Sequence, residues 1–292
     1  MKYSDTALKI LGARECGIWR TNAQFWREFP TRDIFEECVS NNEDIQQTTQ
    51  KLLKEFSTEY CGMVCIFDKE FPIINPQVKN KSEKPILLFY KGDLSLIQNP
   101  DSNVAVVGTI ESDDDIEARG AEIVRALVRE NQVIVSGLAL GCDTVAHRAC
   151  LAEGYKTIAI LPSPLHKIIP SQNEVLADKI VRCGGLLVSE YYREPQSRYE
   201  AIGRFVERDR LQAMFAKAVI LIASYQKGQG DSGSRHAMAA AKKYSVRRYA
   251  MYDFKTDETN KKFGLNRDLI ESGDAKIITL SAIQEIAFLK TI

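Results

Sequence analysis

Nine short apolar runs, most followed by a polar or helix-forming stretch, decide what this chain can fold into. They are Met63–Phe67, Ile86–Tyr90, Val104–Val107, Val133–Val135, Thr157–Leu161, Leu186–Val188, Ala218–Ala223, Arg247–Met251 and Lys276–Thr279. Most are apolar at successive positions instead of alternating, the pattern of strands covered on both faces. Amphipathic segments lie between several of them, and Ile116, Ile123, Val124, Leu127 and Val128 form one apolar stripe. Ser171 with Glu174, and Ser281 with Gln284, have capping-box spacing and predict two further helix starts. Strands alternating with helices predict an α/β fold with a doubly covered, mostly parallel sheet. Ligands on such sheets bind beyond the carboxyl ends of the strands. The turns after Val107, Val135, Leu161, Val188 and Ala223 are therefore expected on one rim.

Residues 1–58 read differently, as polar helices with two apolar clusters, one at Leu8, Ile10 and Leu11 and one at Trp19, Phe25, Trp26 and Phe29. Pro30-Thr31-Arg32-Asp33 has the form of a helix start, and residues 46–56 of a further helix. A small helical domain over 1–58 and an α/β domain over 59–292 are expected. Charge excludes a uniformly basic protein, because Lys plus Arg and Asp plus Glu number 39 each. Any nucleic-acid site must be a local patch. No apolar run approaches the ~20 residues that span a bilayer. Met1-Lys2-Tyr3-Ser4-Asp5 does not open a signal peptide, so a cytoplasmic protein is expected. The seven cysteines have no zinc-knuckle spacing and read as reduced, packed thiols.

Three stretches carry chemistry. In Ser136-Gly137-Leu138-Ala139-Leu140-Gly141-Cys142-Asp143, an apolar strand runs into a glycine turn and then a helix. Strand, turn and helix N-terminus bring backbone N–H groups and a positive dipole end together, which suits a phosphate. Asp143 is expected to cap that helix. His147, four residues on, can share its face and is expected to help orient the turn, not to form an acid/base pair. Gly108-Thr109 ends an earlier strand, and Ser232-Gly233-Ser234 opens a later helix. Gly108, Gly137 and Gly233 are thus expected on the same rim. Arg204, Arg208 and Arg210 fall in a predicted helix over 202–216. Arginine forks suit phosphate, although Glu200, Glu207 and Asp209 are equally placed to pair with them. From Ser234 to Arg248 there are five basic residues, Arg235, Lys242, Lys243, Arg247 and Arg248, and no acidic one. Tyr191, Tyr192, Tyr199 and Tyr225 could stack on bases. Nothing indicates a catalytic nucleophile, a metal triad or a cofactor.

The wording of these stretches resembles the DprA/Smf DNA-processing family. Ser136, Gly137, Ala139, Gly141, Asp143, Ala146 and His147 match every fixed position of its Ser-Gly-x-Ala-x-Gly-x-Asp-x-x-Ala-His block. Val104–Thr109, Thr157–Leu161, Ser189-Glu190-Tyr191, Phe205–Arg210 and Ser232-Gly233-Ser234 follow in family order, and the likeness covers roughly residues 60–275. It implies a Rossmann-like core and a non-enzymatic, homodimeric binder of single-stranded DNA that hands DNA to RecA-type recombinases. It leaves no room for the C-terminal winged helix of many members. The expected phosphate-contacting set is Gly108, Thr109, Ser136, Gly137, Gly141, Arg204, Arg208, Arg210, Ser232, Gly233, Ser234, Arg235 and Lys242, with Asp143 and His147 structural. Three positions depart from the family toward acid or apolar. Ile110 stands for Arg, Glu111–Asp115 holds four carboxylates, and Asp209 stands for Asn. Acid on a phosphate rim should repel, so replacing Asp113 and Asp114 by Asn is expected to strengthen binding. Two other roles fit the same resemblance. One is an antitoxin of a phage-defence system that neutralises a phosphoribosyltransferase-type toxin, and the other is a nucleotide-binding Rossmann-like protein.

Overall fold

The structure, a computed structural model, describes residues 3–55 and 61–289. Each of the nine apolar runs contributes a strand: β1 (Gly62–Cys65), β2 (Leu87–Gly92), β3 (Asn103–Val107), β4 (Val133–Ser136), β5 (Thr157–Leu161), β6 (Leu186–Ser189), β7 (Ala218–Leu221), β8 (Arg247–Ala250) and β9 (Lys276–Ile277). They form a single sheet in the order β1-β2-β6-β5-β4-β3-β7-β8-β9. From β6 to β9 every neighbour is parallel. Only β2 runs against its neighbours, β1 on one side and β6 on the other. The order reverses between β3 and β7, the switch point of a doubly wound sheet, where a crevice opens beyond the strand ends. The expected fold is the observed one.

Twelve helices accompany the sheet: α1 (Asp5–Glu15), α2 (Asn22–Glu28), α3 (Arg32–Ser40), α4 (Glu43–Glu55), α5 (Ser95–Gln98), α6 (Asp114–Arg129), α7 (Cys142–Ala152), α8 (Glu174–Arg182), α9 (Arg198–Met214), α10 (Arg235–Lys243), α11 (Gly264–Glu271) and α12 (Leu280–Phe288). Both faces of the sheet are buried. On one, α6 and α7 bring Ile116, Val124 and Ala146 against Val104, Val106 and Ile134. On the other, α9 and α10 bring Leu211, Met214 and Ala237 against Ala105, Val135 and Val219. Toward the antiparallel edge, Leu8, Ile10, Leu11, Phe25 and Phe35 of α1–α3 join Met63, Phe89 and Leu187 in one apolar cluster. The boundary expected near residue 58, and the end of the helix expected over 46–56, fall outside the described residues.

Helix starts follow the expectation unevenly. Thr31 caps α3, accepting from the Ile34 amide. The two expected capping boxes do not form. Ser171–Asn173 is a short 3₁₀ turn, and α8 begins after Asn173 without a side-chain cap. The Asn173 amide instead donates to the Leu138 and Ala139 carbonyls and the Thr144 hydroxyl. The last helix is capped two residues early, by Thr279, whose hydroxyl accepts from the Ala282 amide at 3.1 Å.

Candidate functional site

Hydrogen bonds tie the turns after β3, β4 and β7 together. The Thr109 amide donates to the Ala223 carbonyl at 2.7 Å, and the Thr109 carbonyl accepts from the Cys142 amide at 3.1 Å. Asp231 reaches across, with one oxygen accepting from the Ile110 amide at 2.8 Å and the other from the Gly233 amide at 3.3 Å. Gly108, Gly137 and Gly233 thus belong to one connected rim at the switch point. Ser136 closes its floor by donating to the Val106 carbonyl at 2.7 Å. Gly141 sits at φ +67°, and a Cβ there would lie 2.4 Å from the Thr109 carbonyl oxygen, so only glycine lets the two turns approach.

Asp143 does not cap α7 as its spacing suggested. Gly141 holds the N-cap position, with no side-chain bond. From inside the first turn, the Asp143 carboxylate folds back and accepts from the Gly137 amide at 3.1 Å and the Ala139 amide at 3.3 Å. Burial raises its pKa, while Arg208 and those amides pull the other way. His147 is fully buried. Its Nδ1 lies 2.9 Å from the Thr157 hydroxyl, which itself donates to the Ile134 carbonyl. With that hydroxyl hydrogen already used, Nδ1 must carry the ring hydrogen. Nε2 is then a buried lone pair with no hydrogen-bond partner. Burial, helped by Arg208, pushes the imidazole down to about 3, so it is neutral at physiological pH.

The three arginines have different surroundings. Arg204 is held by Glu200 at 2.6 Å and by the Arg193 carbonyl at 2.7 Å, and its guanidinium lies 4.2 Å from the centre of the Tyr191 ring. Arg210 makes a two-pronged bond to Glu190, at 2.7 and 2.8 Å, and donates to the Glu83 and Glu207 carbonyls. Both serve the fold. Arg208 is only 4% exposed, yet its Nε and Nη1 have no hydrogen-bond partner. Its nearest carboxylates are Asp209 at 3.4 Å and Asp143 at 3.8 Å. The guanidinium lies over Gly137 so closely that a Cβ there would sit 1.2 Å from Nη1. A desolvated guanidinium lacking good hydrogen bonds is costly to the fold, and it marks where an anion would be held.

The basic stretch departs from the expected site. Arg235, at the start of α10, donates to the carbonyl and hydroxyl of Ser232, both at 2.9 Å. α10 then runs back from the rim, so Lys242 and Lys243 lie some 10 Å or more along the helix from it. Acids from elsewhere pair with the four remaining cations: Asp274 with Lys242 and Arg248, Glu83 with Lys243, and Glu285 with Arg247. Ser234 remains at the rim, with a buried hydroxyl that has no partner. The acidic loop is also less free than its sequence suggests. Asp113 caps α6 through the Ile116 amide and pairs with Lys262 at 2.9 Å, and Asp115 pairs with Arg119. Besides Asp143, the carboxylate that meets the rim's amides is Asp231, which composition did not single out. Of the tyrosines, Tyr191 is covered by Arg204 and Tyr192 stacks on Phe89. Tyr199 is 88% exposed.

Asp209, where the family has Asn, is a second perturbed acid of the rim beside Asp143. Burial pushes it up to about 7, with Arg208 opposing and Asp143 adding to the rise. A carboxyl that stays protonated in the folded state above its unfolded pKa makes stability fall as pH rises between the two values. Asp209→Asn is therefore expected to raise thermal stability over the parent by a margin that grows from pH 4 to pH 7 and is flat above. Taking the difference between the two proteins cancels the opposing titration of His147. A margin independent of pH, read by thermal melts, would contradict this.

A doubly wound sheet with glycine turns and a buried, under-bonded arginine at its switch point defines a Rossmann-like protein. Residues 62–288 match the family model of the DNA recombination-mediator protein A, and the chain belongs to that DprA/Smf family. Curated relatives include the DNA processing protein DprA of Streptococcus pneumoniae, 44% identical over 112 residues, which is 37% of either chain. The DNA processing protein DprA of Bacillus subtilis is 30% identical over 213 residues, covering 70% of this chain and 65% of the relative. Neither alignment spans two thirds of the relative. Among solved structures, that of DprA from Streptococcus pneumoniae aligns with a TM-score of 0.67 at 28% identity, over 95% of this chain and 91% of the other. That of DNA processing protein A from Helicobacter pylori, described for its single-stranded DNA binding mode, aligns with a TM-score of 0.60 at 27% identity, over 74% and 92%. Among the described residues, no helix is long and apolar enough to cross a membrane.

Proposed function

We propose that the switch-point rim binds the phosphates of single-stranded DNA, and that the protein acts in DNA processing and recombination as a binder, not a catalyst. The observation that carries this reading is Arg208, buried over Gly137 with two donor nitrogens unbonded. A phosphate oxygen accepting from Nη1 would supply one of the two missing bonds. Ser234, with its buried and unbonded hydroxyl, is a second donor on the same rim. The amides of Gly137, Ala139, Ile110 and Gly233 contribute less, because Asp143 and Asp231 already occupy them. Phosphate contacts carry no base information, so binding is sequence-tolerant.

Transfer of the strand to a RecA-type recombinase, and a homodimer, belong to the same proposal. One feature supports a protein partner. Along α9, Tyr199, Ile202, Phe205 and Val206 form an exposed apolar face. The same face would serve the antitoxin reading. Fluorescence anisotropy with a labelled oligonucleotide at low and moderate salt separates the two. Binding that weakens linearly in log–log form, with a slope of about −0.7 per phosphate neutralised, is expected. A folded protein that binds no oligonucleotide at low salt would leave partner binding as the better account, and light scattering on the same samples reads the dimer.

A further inference from the structure

A cleft of about 720 Å³ opens between the N-terminal helices and the α9–α10 face of the sheet. It is separate from the rim. Residues 208 and 210 stand roughly 200° apart around α9, and it is Arg210, not Arg208, that lines the cleft. Most charges in it are already matched. Arg210 pairs with Glu190 and Lys243 with Glu83 at 2.8 Å, while Glu207 has only the neutral Tyr191 hydroxyl, which donates to it at 2.6 Å.

Two cations are left over. The side chain of Arg14, in the last turn of α1, makes no hydrogen bond or ion pair among the described residues. Its guanidinium lies 5.9 Å from the centre of the Phe89 ring. The neighbouring Glu15 is taken by Arg193 at 2.6 Å. Arg20 lines the same cleft, is exposed, and makes no side-chain ion pair among the described residues. Burial lowers the pKa of Arg14, with the carboxylates of Glu15 and Glu190 opposing and Arg204 adding to the fall. The cleft's volume falls within the range of small-molecule sites.

We propose that this cleft binds a terminal phosphate, the dianionic group of a phosphomonoester, through Arg14 and Arg20. A terminal phosphate presents three free oxygens to these two forks, whereas an internal phosphodiester presents two, and the lining holds one more cation than carboxylate among Arg14, Arg20, Arg210, Lys243, Glu83, Glu190 and Glu207. Arginine forks meet phosphate oxygens in pairs. The group can belong to a free nucleotide or to the 5′-phosphorylated end of a DNA strand. The inference does not depend on the rim, because none of its residues contributes to the rim's turns.

The test has two arms, each with the parent, Arg14→Gln, Arg20→Gln and Arg208→Ala. Calorimetry uses AMP and inorganic phosphate, and anisotropy compares hexathymidylate with and without a 5′-phosphate. Saturable AMP binding, weakened at least tenfold in Arg14→Gln or Arg20→Gln and kept in Arg208→Ala, supports a free ligand. A 5′-phosphate advantage lost in the same two variants, without AMP binding, supports a strand end. Arg20 is exposed, so its variant carries the test if Arg14→Gln fails to fold. No response to a terminal phosphate in either arm overturns the inference, as does a response that both glutamine variants leave intact. Loss of oligonucleotide binding in Arg208→Ala alone speaks to the rim and not to the cleft.

Discussion

Arg208→Ala is expected to weaken single-stranded DNA binding by at least tenfold, about equally for any base sequence. A charge-assisted hydrogen bond contributes about 1.5–3 kcal/mol, which corresponds to roughly 10- to 150-fold in affinity. Arg208 sits over the glycine turn with Nε and Nη1 unbonded, so its loss removes contacts that no neighbour replaces. Arg204 and Arg210 are committed to Glu200 and Glu190 and cannot substitute. Arg208→Lys should recover only part of the affinity, since an ammonium restores the charge but not the planar fork. Removing the cation also leaves Asp143 and Asp209 facing each other, so Arg208→Ala with Asp209→Asn is the better-folded comparison. Anisotropy titrations on both variants check the result. Parent-like affinity in the double variant would remove Arg208 from the site.

Gly137→Ala is expected to match that loss and to destabilise the protein as well. Gly137 is not among the glycines at positive φ, so the backbone accepts alanine. The new Cβ would nevertheless stand 1.2 Å from Arg208 Nη1, and the guanidinium must leave. Asp143 and Asp209 then lose their shared cation. Breaking a buried ion pair costs about 3–5 kcal/mol, which in a protein of this size lowers the melting temperature on the order of 10 °C. The clash vanishes once Arg208 is gone. In a double-mutant cycle, Gly137→Ala should therefore add little to Arg208→Ala, giving strong coupling. Additive effects in thermal melts and anisotropy would show that the two do not meet.

What could be read from the sequence tracks the range of the interactions involved. All nine strands were legible because a strand buried on both faces needs continuous apolar residues, a local signal. Caps were less legible. Asp143 has the right residue type near a helix start, but tertiary proximity to the Gly137 and Ala139 amides turned its carboxylate inward. Ser171 lost to a 3₁₀ turn, and Ser281 to Thr279 two residues earlier. The arginines were identical in sequence and differ in the fold. The Glu200–Arg204 pair is local, at i, i+4, and could be read. Glu190, which takes Arg210, is 20 residues away, and Gly137, which leaves room for Arg208, lies on another strand's turn. The basic stretch looked free because its counterions Asp274, Glu285 and Glu83 lie outside it. The neighbourhood of Asp231 suggests no more than an N-cap, and nothing in it shows that the carboxylate reaches the Ile110 amide 121 residues back.

The inward turn of Asp143 has a consequence for how a ligand is met. Its carboxylate stands in for an anion at the glycine turn, holding the Gly137 and Ala139 amides whether or not anything is bound. The loop therefore takes its shape when the chain folds, and an arriving strand has little backbone to immobilise. Encounter can proceed without a preceding rearrangement, so its speed is set by diffusion and electrostatic attraction. In the proposed complex an incoming phosphate would compete with built-in carboxylates for one arginine, which shortens its residence on the rim. A surface with those properties would load quickly and let go easily, as the proposed transfer of a strand to a recombinase requires.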